Sequence, residues 1–384
     1  MKTLFRLQYE IPVYTEDDTR TGAKLDLRQV DDDDVRCCLR QTSHLGHKEL
    51  MKWLKRRPED GLVAALPLTT VTPEALAYRL EGRNPKLVFV QRPLHTIEKL
   101  DELLCALNEQ VAYGTIVCFN SMTSRLKRAL IESRYPWGVR KAVVAWNYAW
   151  HRVAPKLKLT RWLYFSLTGG KDRTFNRVEV LGRICRAGFG VMDESFREGE
   201  FFVTAKKVRR PVYDDAPTGS PVIHLRRVGK DGKRIVVHKF RTMYSYSEYI
   251  QSYIFEHQHL QAGGKIKDDY RINFWGRLLR RTWLDELPMV WNMLRGEVKL
   301  VGVRPLSEHY FSLYTPEMQA LRTRTKPGML PPFYYEQQTP ETLDEIQASE
   351  RRYLEAYLAH PFATDWRYFW GIVGNILFHR KHSA

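Results

Sequence analysis

A chain of 384 residues with 43% hydrophobic and 12% aromatic side chains has enough apolar material for two domains of ordinary size, which excludes a disordered protein. Lys and Arg outnumber Asp and Glu by 61 to 44, a net charge of +17, so the expected partner is anionic: nucleic acid, an acidic membrane surface or phosphorylated small molecules. No zinc-finger cysteine pattern, basic region joined to heptads or RNP-type aromatic motif accompanies that charge, so nucleic acid is not expected.

Cys37, Cys38, Cys105, Cys118 and Cys185 all fall in the first half without metal-ligand spacing, which fits reduced thiols in a cytoplasmic protein. Met1-Lys2-Thr3-Leu4-Phe5 passes at once into polar residues, so no export signal is expected. No window of about 20 apolar residues occurs, so no spanning helix is expected either.

The chain opens with a strand-like run from Leu4 to Tyr14 and an acidic patch, Asp31 to Asp34, which reads as a solvated loop. From Gly46 a regular alternation sets in. Helix-like segments cover Glu49 to Arg57, the stretch from Thr72-Pro73-Glu74, Ile97 to Leu107 and Ser121 to Ser133. Strand-like segments cover Leu62 to Leu68, Lys86 to Val90 and Thr115 to Phe119. Strands separated by helices imply a parallel, Rossmann-like sheet. Further helical and aromatic stretches reach Leu167, then a helix is expected over Val178 to Ala187, a strand over Gly188 to Asp193 and its hairpin partner over Gly199 to Lys207. That ending resembles class I methyltransferase-like domains. No early strand ends in the glycine-rich turn that lets backbone approach S-adenosylmethionine, so methyl transfer is not expected.

Val208 to Ser220, with Pro211, Pro217 and Gly219, has linker composition. The expected organisation is therefore residues 1–207 as a first domain, 208–220 as linker and 221–384 as a second domain. Val222 to Val228 and Arg234 to Phe240 flank Asp231-Gly232, a hairpin turn signal, and Lys239 emerges on the second strand. The plainer reading of Lys239 is an edge-strand lysine that blocks edge pairing. The aromatic stripe of Tyr244 to Phe255 reads as core in preference to a stacking platform or an interfacial belt. Lys265 to Asp269 reads as a charged, solvated turn, with Asp268 or Asp269 as weaker metal candidates.

The most informative stretch runs from Arg271 to Pro305. Leu287, Val290, Trp291 and Leu294 share one helical face, expected to be buried, and Pro288 requires the helix to begin near Asp285. Asp285 and Glu286 then sit at a helix N-terminus, either as a simple acidic first turn or as an anion- and metal-handling pair. Three arginines precede them (Arg277, Arg280, Arg281) and Arg304 follows, which points to phosphate chemistry.

Lys239-Phe240-Arg241-Thr242-Met243, Asp269-Tyr270-Arg271 with Gly276, Leu279-Arg280-Arg281-Thr282, Leu284-Asp285-Glu286-Leu287-Pro288, Asn292, Leu294-Arg295-Gly296 and Leu300-Val301-Gly302-Val303-Arg304-Pro305 together resemble the bacterial sugar transferase family, the monotopic polyprenyl-phosphate phosphoglycosyl transferases. The alternation of the first half and this resemblance together give the expected fold class, an α/β protein: a Rossmann-like domain followed by an α+β catalytic domain that lacks the usual re-entrant membrane helix. The resemblance implies that Asp285 attacks the β-phosphate of a nucleotide sugar, expected to be a UDP-sugar, and that the phosphosugar passes to a polyprenyl phosphate. Glu286 then helps hold Mg2+, and Lys239, Arg280 and Arg304 neutralise phosphate, with Arg241, Arg271 and Arg281 as second-rank candidates. The product initiates exopolysaccharide, capsule or O-antigen synthesis.

Members usually carry a long hydrophobic re-entrant helix before the catalytic region; this chain has Val208 to Pro217 there, a polar stretch. Membrane contact is therefore expected at the periphery of the inner face of the cytoplasmic membrane. The segment 366–382, rich in aromatics and ending with Arg380-Lys381, is the first candidate, and docking on the protein's own core is its rival. Glu341 to His360 reads as a surface helix. Two rival functions stand beside the enzyme: a non-catalytic partner or regulator of a glycosyl transferase, and a methyltransferase acting through the first domain.

Overall fold

The computed structural model describes residues 26–56, 62–66, 72–170, 172–213, 220–251, 253–254, 269–336 and 342–379. The strand expected over Leu4 to Tyr14 lies outside them, as do Phe255, Lys265 to Asp268 and Arg380-Lys381. The chain divides into two compact units, Met1–Ala216 with Ser245–Gln258, and Pro217–Tyr244 with His259–Ala384.

In the first unit, helices α1 (Asp33–Thr42) and α2 (His47–Arg56) lead into an alternation of β1 (Val63–Leu66), α3 (Pro73–Leu80), β2 (Leu87–Val90), α4 (Leu100–Gln110), β3 (Ile116–Ser121) and α5 (Ser124–Arg134). The acidic patch is not a loop. Asp32 caps α1, its Oδ1 accepting from the N–H groups of Asp34 (3.0 Å) and Val35 (3.1 Å), and Asp33 and Asp34 lie in the first turn, where the positive helix end favours them. Thr72 caps α3 with Pro73 at its first position, as the sequence predicts.

Helices α6 (Trp137–Tyr148), α7 (Lys158–Thr168) and α8 (Arg177–Arg186) follow, then the hairpin of β4 (Phe189–Arg197) and β5 (Glu200–Lys207). The sheet runs β1-β2-β3-β5-β4. The first three strands are parallel, and β5 lies antiparallel between β3 and β4. Leu87, Val88, Phe89 and Val90 are all buried, which explains why β2 reads as an unbroken apolar run. Each such side chain contributes about 1.5–3 kcal/mol of burial.

Two features hold the rest of this unit in place. Residues 208–213, in the stretch of linker composition, hydrogen-bond to it: the N–H groups of Val208 and Arg209 reach the Gly188 carbonyl (3.1 Å each), and Val212 N–H reaches the Arg186 carbonyl (2.9 Å). The stretch after β7 of the second unit, described below, also returns here. Tyr246, in the left-handed region at φ 66°, sets its backbone against Gly182 of α8, where an added Cβ would lie 2.3 Å from the Tyr246 carbonyl oxygen. Its hydroxyl donates to Asp101 (2.6 Å), its ring lies 4.2 Å from the Arg183 guanidinium, and Tyr253 donates to Glu194 (2.6 Å). Tyr246, Ile250, Tyr253 and Ile254 are buried, so the aromatic stripe is core, as the sequence implies.

The second unit opens with the hairpin of β6 (Val222–Val228) and β7 (Arg234–Phe240), turning through Asp231 at φ 56° and Gly232 at φ 71°. Helices α9 (Phe274–Arg281) and α10 (Met289–Leu294) follow, then β8 (Lys299–Val301), α11 (Glu308–Ser312), α12 (Pro316–Thr323), β9 (Gly328–Leu330), α13 (Leu343–Ala359) and α14 (Pro361–His379). Strands β8 and β9 pair in parallel. Gly302 and Gly328 meet so closely that a Cβ on Gly328 would lie 2.1 Å from the Gly302 nitrogen, which brings Gly302-Val303-Arg304-Pro305 beside the chain at Lys326-Pro327-Gly328.

Helix α13 is not a surface helix. Tyr353 and Leu354 are fully buried, and Glu350 beside them pairs with Arg322. Helix α14 docks on the same core through Tyr368 and Ile372, while Phe362, Trp366 and Trp370 remain exposed on its other face. No helix among the described residues is long and apolar enough to cross a membrane.

Glu179 in α8 generates a stability prediction. It completes a capping box with Asn176 and receives Arg152 (2.9 Å) and Lys156. Burial opposes its ionisation, yet the two cations outweigh burial and bring its pKa from 4.5 to about 2. A carboxyl depressed on folding stabilises the native state fully above its unfolded pKa and loses that contribution as pH falls through the folded one. About 3 kcal/mol should disappear between pH ~4.5 and pH ~2, read by urea denaturation across that range. Glu179→Gln should flatten this component and cost about 3–5 kcal/mol at neutral pH, because Arg152 is then buried without a counter-charge.

Candidate active site

The site gathers where β7, α9 and a short 3-10 turn, Leu284–Glu286, meet in the second unit. The chain enters the turn through Trp283 at φ 61°, and Pro288 caps α10, which begins only at Met289. Asp285 and Glu286 are therefore not at the N-terminus of an α-helix, contrary to expectation. Their compensation comes from side chains instead of a helix dipole.

Lys239 Nζ donates to Glu286 Oε1, and both side chains are largely buried. Lys239 is thus not a free edge-strand lysine. Asp285 is only 7% exposed, and its Oδ1 accepts no hydrogen bond. Burial raises the Asp285 pKa, the neighbouring Glu286 carboxylate adds to that rise, and Lys239 and Arg280 oppose it. An acceptor oxygen withdrawn from water without a donor is costly, so this oxygen is poised to take a new partner.

Helix α9 delivers Arg280. Asn273 caps the helix by accepting from Gly276 N–H (2.6 Å), and Gly276 lets the helix sit directly on the Thr242 carbonyl, which an added Cβ would meet at 1.9 Å. That approach lets Arg280 Nε donate to Thr242 Oγ1 (3.0 Å). Burial lowers the Arg280 pKa, with Asp285 and Asp269 opposing and Arg271 and Arg304 adding to the fall, so these five charges share one electrostatic neighbourhood.

The remaining candidates are placed differently. Arg271 is buried and forks onto Asp269, Nε to Oδ1 at 2.8 Å and Nη2 to Oδ2 at 2.7 Å. Asp269 is accordingly a buried partner and not a solvated-turn residue; Asp268 lies outside the described residues. Arg241 Nε donates to the Ser220 carbonyl (2.8 Å). Arg281 is exposed on α9, and Arg304 is exposed after β8, its carbonyl accepting from Arg322 Nη2 (2.6 Å).

The face of α10 expected to be buried is not. Leu287, Trp291 and Leu294 are 53%, 58% and 73% exposed, and the helix buries Met289 and Asn292 instead. Asn292 belongs to the motif run, but the sequence assigns it no role. Its Nδ2 donates to the Val236 carbonyl and Glu297 (2.6 Å each), and its Oδ1 accepts from His238 N–H (3.1 Å), which pins α10 to the strand carrying Lys239. Besides the motif run, an asparagine inside an otherwise apolar turn, Val290-Trp291-Asn292-Met293-Leu294, is the signal for it. Thr242 is likewise a motif residue to which the sequence assigns no role.

Among the described residues, no cluster of three or more His, Cys, Asp or Glu stands ready to cage a metal ion. The pair available is Asp285 and Glu286.

The model of the bacterial sugar transferase family matches residues 214–377, which bears out the resemblance carried by the motif run over that region. Within it the chain is 39% identical over 112 residues to the uncharacterized sugar transferase EpsL of Bacillus subtilis, covering 29% of this chain and 49% of that protein. It is 34% identical over 117 residues to the undecaprenyl-phosphate galactose phosphotransferase of Salmonella typhimurium, covering 29% of this chain and 24% of that protein. It is 33% identical over 116 residues to the exopolysaccharide production protein ExoY of Rhizobium meliloti, covering 29% of this chain and 51% of that protein. The match thus spans about half or less of these relatives' lengths.

Two substitutions test this architecture. Gly276→Ala should cost about 1–3 kcal/mol and separate α9 from Thr242, seen as a lower melting temperature together with weakened Arg280 function. Asn292→Ala should cost about 2–4 kcal/mol by leaving three partners unsatisfied, measured by chemical denaturation.

Proposed function

We propose that this chain transfers a sugar 1-phosphate from a nucleotide sugar, with a UDP-sugar as the donor, to a polyprenyl phosphate, and so initiates exopolysaccharide, capsule or O-antigen synthesis. The observation that carries this reading is Asp285: a buried carboxylate with an unpartnered oxygen, beside Glu286 held by Lys239, in the region matched by the sugar transferase family.

In the first step an Asp285 carboxylate oxygen attacks the β-phosphorus. The bond from that phosphorus to the bridging oxygen breaks, and the nucleoside monophosphate leaves with the electron pair. In the second step an oxygen of the polyprenyl phosphate attacks the same phosphorus. The aspartyl–phosphorus bond breaks, and the Asp285 carboxylate is restored. Arg280 and Arg304 offset the charge of the diphosphate, and the Lys239–Glu286 pair fixes the turn that aims Asp285.

Magnesium fits this pair because Mg2+ usually takes one or two carboxylates and completes its shell with water and substrate phosphates. Glu286, with Asp285 adjacent, would hold it, and it would supply charge neutralisation at the diphosphate. Peripheral contact with the inner face of the cytoplasmic membrane is supported in this unit by the exposed Phe274, Trp275, Leu287, Trp291 and Leu294 and by the outer face of α14. We read the first unit as a Rossmann-like domain; its three parallel strands and the antiparallel strand inserted beside β3 support that reading.

The test supplies a panel of UDP-sugars, magnesium and undecaprenyl phosphate in detergent and follows nucleoside monophosphate release. Wild type should turn over one or a few donors, and Asp285→Asn should lose at least about a thousandfold in rate. With donor alone, intact mass should rise by one sugar phosphate in wild type and not in Asp285→Asn. No release with any donor where an active relative turns over would defeat the reading.

A pH dependence follows from the raised Asp285 pKa. The nucleophile must be ionised, so kcat/KM should fall on the acid side with a midpoint above the ordinary aspartate value. A midpoint below that value would contradict the buried setting of Asp285.

A further inference from the structure

The segment from Ser133 to Gly170 in the first unit contributes nothing to the site described above, and its composition is unlike the rest of the chain. It contains no aspartate or glutamate, seven Lys and Arg, and four of the ten tryptophans. It folds as α6, an elbow of one π turn (Ala149–Val153) and one 3-10 turn (Ala154–Lys156), and α7.

The elbow is anchored, α7 is held to the unit by one buried side chain, and the outer faces of both helices are bare. Arg152 is buried on Glu179 and also donates to the Thr174 carbonyl (3.2 Å), while Thr174 N–H returns to the His151 carbonyl (3.0 Å). Tyr164 of α7 is fully buried and meets the edges of Trp150 and His151 at 5.6 and 5.9 Å. Helix α6 has no buried residue at all. The outward faces carry Trp137, Trp146, Leu159, Trp162, Leu163 and Leu167, with Leu159 91% and Trp162 74% exposed.

Apolar surface of this extent is costly in water unless something covers it. The charge says what does. Lys141 and Arg161 are exposed on these helices and Arg134 at the end of α5 just before them, and among the described residues none of the three meets a carboxylate. Lys141 lies 5.5 Å from the Trp137 ring and Arg161 5.6 Å from the Phe165 ring, so cationic heads and aromatic rings sit at one level. Tryptophan beside lysine and arginine, with every carboxylate removed, is complementary to a phospholipid headgroup layer over acyl chains. The helices have 12 and 11 residues, a length for lying in an interface and not for crossing it.

We propose that α6, its elbow and α7 form a membrane-docking surface whose partner is an anionic phospholipid bilayer. This surface lies outside residues 214–377, so it stands independently of the transferase reading.

The experiment uses the full chain in flotation with vesicles of phosphatidylcholine alone or mixed with phosphatidylglycerol. Wild type should float with the anionic vesicles, less so as salt is raised, and stay behind with neutral ones. The double variant Leu159→Glu, Trp162→Glu should partition at least roughly tenfold more weakly, since each side chain loses apolar insertion and gains repulsion. Lys141→Glu with Arg161→Glu should weaken binding to anionic vesicles without removing an apolar side chain. Unchanged circular dichroism and thermal midpoint establish that each variant is folded, and unchanged nucleoside monophosphate release in detergent separates this surface from the catalytic reading. Equal flotation of wild type and both variants would overturn the proposal, as would failure of wild type to bind anionic vesicles. A wild-type dimer that the Leu159→Glu, Trp162→Glu variant converts to monomer, with vesicle binding unaltered, would assign the face to a second copy and overturn it too.

Discussion

Two adjacent carboxylates held out of water repel each other, and the second unit is arranged around containing that repulsion. Glu286 is neutralised by Lys239, which requires β7 to pass beside the Leu284–Glu286 turn. That pairing leaves the surplus negative charge on Asp285, facing Arg280 across a gap that no hydrogen bond closes. The cations are held in turn by backbone: Asn292 fixes α10 to β7, and the bare Cα of Gly276 lets α9 come close enough for Arg280 to reach Thr242. A site that keeps one carboxylate compensated and the other under-compensated has separated the task of holding from the task of reacting.

Much of this was legible in the chain because it rests on local rules. The β–α alternation of the first unit, the Thr72-Pro73 helix start, the Asp231-Gly232 turn and the run of basic and acidic motifs each depend on neighbours in sequence. What was not legible depends on residues far apart. The spacing of Leu287, Val290, Trp291 and Leu294 fixes a helical face but cannot say that its other side, through Asn292, faces β7. Likewise Glu341 to His360 reads as polar, although Glu350 is matched by Arg322 and Tyr353 joins a core whose other members range from Val301 and Val303 through Met318 and Tyr334 to Tyr368 and Ile372. Asp269 and Arg271 satisfy one another across a single residue, so the pair was present in the sequence, but burial made it a fork where exposure would have left two solvated charges.

The two units deal differently with apolar side chains left on the outside. In the second, Trp275, Trp291 and Leu294 stand on the same helices that place Arg280 and pin the Lys239 strand, so the exposed face and the reacting groups share their supports. In the first, the exposed tryptophans are carried on helices joined by an elbow that is fastened to Glu179 of α8 and reached by the buried Tyr164.

The return of residues 245–254 to the first unit means that the chain is not modular along its length. A fragment beginning after residue 216 would retain every motif of the sugar transferase region, yet it would bring Tyr246, Ile250, Tyr253 and Ile254 into solvent with their hosts removed. Because Ser245–Gln258 belongs to the first unit, no single break in the chain separates the two units with both packed cores whole.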